Sequence, residues 1–209
     1  MIWSASRKFC FIHIPKTGGT TITAAYEPHM LFDDVVLGGT MLGEALQSRY
    51  RDRFGVHKHS GARAVMSAAG PEAFAAAFSF ALLRHPVDRM TSLYRWLRGS
   101  PKSSHPLHAP AVALDFGDFA PLAREYFPTQ AAHVKAADGR VAVTRLYRFE
   151  DLTQAWAEVT ARLGIEATLG HRNASRDAPV EVSAAARAAV EAAYAEDLAL
   201  HRAIPPLQG

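Results

Sequence analysis

The sequence predicts an α/β fold with a central, largely parallel sheet flanked by helices. Two short apolar runs, over residues 9–14 and 78–83, have the density of strands buried on both faces. Amphipathic helical stretches separate these runs, as crossovers between parallel strands require. The chain shows no internal repeat and no second-domain linker, so residues 1–209 read as a single domain. At 209 residues and 49% hydrophobic composition, it can bury about 70% of its unfolded surface.

The first strand is Phe9, Cys10, Phe11, Ile12 and Ile14, preceded by a polar stretch over residues 1–8. Pro15 stops it, Gly18-Gly19 give a tight turn, and Thr20 and Thr21 open a helix over residues 20–26. Residues 27–39 read as a loop with short apolar pieces. Thr40 caps a helix over 41–51 with Met41, Leu42, Ala45 and Leu46 on one face, and Arg49, Arg51 and Arg53 on the solvated side. A short strand is expected at 54–56, followed by His57-Lys58-His59. Ser60 is the expected cap of a helix over 61–68, and Pro71 begins another over 71–78.

The second buried strand, 79–83, runs into Arg84-His85-Pro86-Val87-Asp88-Arg89 and an amphipathic helix over 90–97. Residues 99–110 form a turn-rich insert, of the kind that serves as a lid or substrate loop. Short helices are expected at 119–126 and 129–136, a third strand at 141–149, and a helix over 152–163 stopped by Gly164. Residues 171–182 read as loop, and Ser183 caps an alanine-rich helix over 183–201.

Charge and cysteine content narrow the function classes. Lys plus Arg is 23 and Asp plus Glu is 20, a formal charge of +3 with a pI near 9.2. That mild bias suits anionic small molecules, and no basic run points to nucleic acid. The one cysteine, Cys10, permits no intrachain disulfide and no Cys-rich metal site. No window reaches the length of a membrane span and no secretory core precedes a cleavage site, so a soluble, cytoplasmic protein is expected.

Strand, glycine turn, hydroxyls and helix start together make an anion cradle, because free amides and the helix dipole both favour phosphate or sulfate there. Lys16 adds a positive charge at its lip. The loop is not a Walker A motif, in which lysine follows the glycines and leads into Ser/Thr; here Lys16 precedes Gly18. The string Pro15-Lys16-Thr17-Gly18-Gly19-Thr20, with Thr21, resembles the 5′-phosphosulfate loop of sulfotransferases that use 3′-phosphoadenosine-5′-phosphosulfate (PAPS). A second string, Leu82 to Tyr94, has an arginine at a strand end, a proline two residues on and a serine eight residues after the arginine. It resembles the 3′-phosphate site of the same family, which implies that Arg84 and Ser92 hold that phosphate. Taken without the loop, Arg84 reads as a salt-bridging helix flank and Ser92 as a surface serine.

The resemblance extends over residues 8–200. His57-Lys58-His59 lies where carbohydrate sulfotransferases of the heparan-sulfate 2-O type and bacterial relatives carry a His-containing segment. Arg148-Phe149-Glu150-Asp151-Leu152 looks like their boundary after a core strand, and Thr129-Gln130 and Arg172-Asn173-Ala174-Ser175 resemble further strings. The resemblance implies a P-loop-type sulfotransferase fold and transfer of a sulfuryl group from PAPS to a hydroxyl, leaving adenosine 3′,5′-bisphosphate. A carbohydrate or other glycan-like or small-molecule acceptor is expected, with no metal. Pro15, Lys16, Thr17, Gly18, Gly19, Thr20, Thr21, Arg84 and Ser92 would bind the donor, with Lys16 also meeting charge on the leaving oxygen. His59 is the first choice of base, as an imidazole near its ordinary pKa, with His57 in reserve and His105 or an unplaced glutamate as other candidates. Glu150 and Asp151 read as a helix cap and a structural carboxylate. An H-x-H in extended chain also suits a metal pair, but no carboxylate or cysteine is placed to complete one. A P-loop nucleotide kinase and a non-catalytic nucleotide-binding module are the alternative classes; ATP against PAPS binding separates the first, and a turnover assay the second.

Overall fold

The computed structural model describes residues 1–100, 104–170 and 179–207. The Arg172–Ser175 string and residues 101–103 of the turn-rich insert lie outside them. In chain order the described residues form β1 (Ile2–Ser4), β2 (Phe9–Ile12), α1 (Gly19–Tyr26), β3 (Asp34–Val36), α2 (Met41–Phe54), α3 (Ala62–Ala69), α4 (Pro71–Ala76) and β4 (Phe78–Leu83). Then come α5 (Pro86–Arg98), α6 (His108–Ala113), α7 (Phe116–Tyr126), α8 (Gln130–Val134), β5 (Arg145–Arg148), α9 (Leu152–Leu163), α10 (Ala184–Ala193) and α11 (Ala195–Ala203). The chain divides into two compact units. One holds Met1–Leu83, Gln130–Asn173 and Ile204–Gly209; the other holds Arg84–Thr129 and Ala174–Ala203.

The first unit contains the sheet, in the order β3-β1-β2-β4-β5. β2, β4 and β5 are parallel, with Phe11 beside Phe80 and Leu83 beside Arg148. β1 is antiparallel to both β2 and β3, so four strands share one direction and β1 alone opposes them. All four residues of β2 are buried, which explains its unbroken apolar run. On one face, Phe9, Phe11, Phe80, Leu82 and Tyr147 pack with Ile22 and Tyr26 of α1 and Ala155, Trp156 and Val159 of α9. Trp156 meets its polar need by donating Nε1–H to the Ala167 carbonyl at 2.8 Å. α9 ends at Gly164, in the left-handed conformation expected of it.

Several elements depart from the sequence expectation. β1 falls in the stretch read as polar and β3 in the stretch read as loop; each has only three residues, too few for a periodicity to register. The strand expected at 54–56 is absent, because α2 continues to Phe54 and Gly55 closes it at φ 68°. Thr40 does cap α2, accepting the Gly43 N–H at 3.1 Å. The apolar face expected on that helix is not buried, with Met41 92% and Leu42 53% exposed. Ser60 does not cap α3: its Oγ accepts the His57 N–H at 2.8 Å, and Gly61 takes the cap position. α4 stops at Ala76, and Phe78 already belongs to β4.

The strand expected at 141–149 shrinks to Arg145–Arg148. Before it, Thr144 and Ser79 exchange side chain-to-backbone bonds, with Thr144 N–H to Ser79 Oγ at 3.0 Å and Ser79 N–H to Thr144 Oγ1 at 3.2 Å. Part of the insert expected as loop is helical, as α6.

The second unit is helical. Its core joins Val87, Met90, Leu93, Tyr94 and Leu97 of α5 to Phe116, Phe119, Ala120 and Ala123 of α7 and to Val190. α5 begins at Pro86, four residues before the expected start, because proline fits the first turn where its missing N–H is not needed. The long helix expected over 183–201 is capped by Ser183 but breaks at Tyr194, where φ is −119° and ψ 35°. Tyr194 is buried and its hydroxyl donates to the Phe127 carbonyl at 2.8 Å. That anchor coincides with the break in an alanine-rich run whose propensity favours continuity.

Beside it lies a buried charge. Arg89 is 1% exposed, sits over the Phe127 ring at 3.9 Å, donates to the Pro128 carbonyl at 3.0 Å and pairs with Asp197 at 3.8 Å. Burial lowers its pKa to about 10, against the attraction of Asp197. Replacing Asp197 by alanine leaves a desolvated guanidinium without its carboxylate. Urea unfolding of Asp197→Ala is expected to show a loss of about 3–5 kcal/mol; a loss no larger than that of an exposed Asp118→Ala control would contradict a stabilising pair.

Candidate functional site

The loop after β2 leaves the sheet at the C-terminal edge of the four codirectional strands, the edge where α/β folds place ligands. Lys16 takes a left-handed φ of 67°, and Gly18, the residue before α1, one of 81°. Such turns point successive amides into a concavity that suits an anion. Gly18 gives no side-chain cap to α1; its carbonyl accepts the N–H groups of Thr21 at 3.0 Å and Ile22 at 3.3 Å. The amides of Gly19 and Thr20, in the first turn, have no acceptor within the helix. Pro15, Lys16, Thr20 and Thr21 are half-buried around this turn. Thr17 differs: it is fully buried and its hydroxyl donates to the Ile14 carbonyl at 3.0 Å, so its side chain shapes the loop.

Two glycines of the loop are required by close approach. A Cβ on Gly18 would stand 2.9 Å from the Phe149 ring. A Cβ on Gly19 would lie 1.9 Å from Cδ2 of His13, inside the imidazole. The His13 ring thus occupies the space a side chain at Gly19 would fill. It is 3% exposed, stacks on Phe11 at 5.8 Å, and its Nδ1 has no hydrogen-bond partner.

His59 meets His13 edge to face at 4.7 Å. Its Nδ1 lies 2.8 Å from the His13 carbonyl, which can only accept, so His59 carries its proton on Nδ1 and Nε2 holds the lone pair. His57 is the reverse: its Nδ1 accepts the His59 N–H at 3.3 Å, so its neutral form carries the proton on Nε2. The turn closes through Ser60 N–H to the His57 carbonyl at 3.0 Å. Between the histidines, Lys58 is held by α2. Its Nζ donates to Glu44 Oε1 at 2.9 Å and its N–H to Gln47 Oε1 at 3.1 Å. Burial works against the Glu44 carboxylate, but the hydrogen bonds from Lys58 and from Gly39 N–H hold it below the ordinary value.

Burial sets the protonation of these histidines. It lowers His59 to about 3, against the pull of the His13 carbonyl, and pushes His13 well below the ordinary histidine value. His57 also moves down, mainly by burial. The expectation of a base near its ordinary pKa is therefore corrected: His59 is firmly neutral at pH 7, as a proton acceptor must be, but is a weaker base than free imidazole.

In the first unit the fold brings together Pro15 to Thr21, His59 and His57. The sequence reading missed His13 and the Lys58 clamp; an imidazole two residues before the proline was the available signal. Arg84 and Ser92 belong to the second unit. Arg84 is the residue after β4 and is half-buried; Ser92 is half-buried in the second turn of α5. His105 accepts the Leu107 N–H on its Nδ1 at 3.1 Å, within the same unit. Asp151 stands at the α9 cap position without capping, and accepts the Leu207 N–H at 3.0 Å, a structural use. Among the described residues no group of three or more His, Cys, Asp or Glu could hold a metal, and no helix is long and apolar enough to cross a membrane. Comparison with protein-family models, curated proteins and solved structures returns no match to this chain.

The depressed histidine pKa values carry a stability consequence. A ring kept neutral in the fold takes a proton in the unfolded chain once pH falls through its ordinary value of about 6.5, so stability declines below that pH and is unaffected above it. For His59 the decline extends down to about 3, where the folded ring also protonates. The urea midpoint of His59→Gln is expected to fall less steeply than wild type between about pH 7 and about pH 5; an unchanged slope would show that His59 titrates alike in both states.

Proposed function

We propose that this protein is a sulfotransferase that moves a sulfuryl group from PAPS to a hydroxyl of a carbohydrate or small-molecule acceptor. The observation that carries the reading is the glycine loop after β2, with a helix start capped by no side chain and a neutral, tautomer-fixed His59 tied to the His13 carbonyl just beyond that strand. The chemistry of the loop fits a phosphosulfate: Lys16 and Gly18 take left-handed φ values, the first-turn amides of Gly19 and Thr20 have no acceptor within the helix, and Gly18 and Gly19 let the Phe149 and His13 rings pack against the turn. PAPS supplies an activated sulfuryl group on a phosphate leaving group.

His59 Nε2 accepts the acceptor hydroxyl's proton as the new O–S bond forms and the bond from sulfur to the phosphate oxygen breaks. Lys16 and the loop amides meet the charge growing on that leaving oxygen, a role worth most where water is excluded. The low pKa of His59 is not fixed during catalysis, because a polyanionic donor beside the ring favours its charged form. His57, its Nδ1 already occupied, braces the segment. Arg84 and Ser92 keep the role that the resemblance implies: a planar guanidinium and a hydroxyl for the 3′-phosphate that distinguishes PAPS from ATP-like donors.

Donor choice tests the reading directly. Adenosine 3′,5′-bisphosphate is expected to bind roughly ten- to a hundred-fold more tightly than AMP, the weight of one charge-assisted contact. Equal affinity in titration calorimetry, or preference for ATP, would remove the assignment.

The base is tested separately. His59→Ala is expected to lose about 10²–10⁴-fold in kcat while still binding the bisphosphate, with His57→Ala affected less. Near-wild-type turnover in His59→Ala would place the base on another residue.

A further inference from the structure

We propose that Arg148 is a further oxyanion-binding residue of the donor loop, holding a phosphate or sulfate oxygen of the nucleotide; this rests on the donor reading above. Arg148 is the last residue of β5, level with Leu83 at the end of β4. It therefore stands on the same C-terminal sheet edge from which the Lys16 loop leaves β2. β5 and β2 are two strand spacings apart, about 10 Å, a gap that a long arginine side chain from one side and the loop from the other can close around an anion. Strand alternation places Arg148 on the face opposite Tyr147. The next residue, Phe149, leaves the ladder and sets its ring against Gly18. The chain thus passes from Arg148 directly onto the loop.

Two partly buried arginines, Arg148 and Arg95, each keep a buried Nε without a hydrogen-bond partner, and of the two Arg148 stands at the C-terminal sheet edge. Its Nε is buried with no hydrogen-bond partner, and its guanidinium makes no hydrogen bond or ion pair with any described residue. Arg145, on the same strand, pairs with Glu158 at 3.7 Å and lies over the Tyr147 ring at 5.4 Å. Arg7 donates to the Tyr26 hydroxyl and the His29 carbonyl. Arg89 has Asp197, Phe127 and Pro128. Nearby Asp151 is committed to the Leu207 N–H. Arg148 is half-buried with its Nε desolvated; a desolvated donor without an acceptor is costly to the fold, and the fixed positive charge favours an anion. A phosphate or sulfate group answers both needs, since its oxygens match the planar fork. The position at the ligand-binding edge, beside the residue that packs on Gly18, identifies which anion is within reach.

Titration calorimetry with two probes, adenosine 3′,5′-bisphosphate and inorganic pyrophosphate, tests this on the full chain. Arg148→Gln is expected to weaken both by about 10- to 100-fold, Arg148→Lys by less, and Arg145→Gln by nothing. Without ligand, Arg148→Gln is expected to melt no lower than wild type, because it removes a buried Nε–H that has no acceptor. Wild-type affinity for both probes in Arg148→Gln, or a loss of unliganded stability matching the loss of affinity, would overturn the proposal. If Arg148→Gln does not fold, Arg148→Lys decides, and undiminished affinity there overturns it. Wild-type binding of pyrophosphate but not of the nucleotide would sink the donor reading while leaving Arg148 to be judged on pyrophosphate. Binding of neither probe would sink both.

Discussion

The contact between His13 and Gly19 is the constraint on which the candidate site depends. Only a residue without a Cβ lets the imidazole sit against the first turn of α1. With the ring seated there, the His13 carbonyl is presented to His59 and fixes its tautomer. One missing methyl thus links the glycine loop to the neighbouring histidine. Buried imidazoles also carry a cost, since each resists protonation that the unfolded chain accepts freely. The loop geometry and the acid sensitivity of the fold come from the same packing.

α2 takes part in this arrangement through polar contacts. Its Met41 and Leu42 are exposed, while Glu44 and Gln47 grip Lys58 between the two histidines and Glu44 also receives the Gly39 N–H. Hydrogen bonds to charged groups, worth more than neutral ones, hold the His57–His59 turn to a helix that contributes little apolar burial. The second unit solves a comparable problem by burying Arg89 among an aromatic ring, a carbonyl and a carboxylate. In both cases a cation gains its position from several partners of different kinds. Arg148 lacks such partners among the described residues, which is why its place at the ligand edge carries meaning.

The apolar runs, the amphipathic stretch before Gly164 and the glycine turn were enough to locate β2, β4, α1 and α9 and to place the glycine loop between a strand and a helix. Those elements are long, densely apolar or bounded by Gly and Pro, so local chemistry dictates them. β1 and β3 have three residues each; β1 pairs along the edge of β2 and β3 along the edge of β1, and nothing local marks either. The late start of β5 coincides with Thr144 bonding to Ser79 of β4 through side chains, and the break at Tyr194 with a buried hydroxyl bond to Phe127. At the candidate site, the order of residues around the glycine turn drew attention to Lys16, Gly18 and Gly19, and the resemblance of the His57-Lys58-His59 segment drew attention to His57 and His59. Tertiary packing decided which nitrogen of His59 and of His57 carries the proton, that burial lowers their pKa values, that the Thr17 hydroxyl turns inward, and that His13 lies between the loop and His59. Those properties depend on desolvation and on partners 46 residues apart, such as His13 and His59, which a linear pattern does not encode.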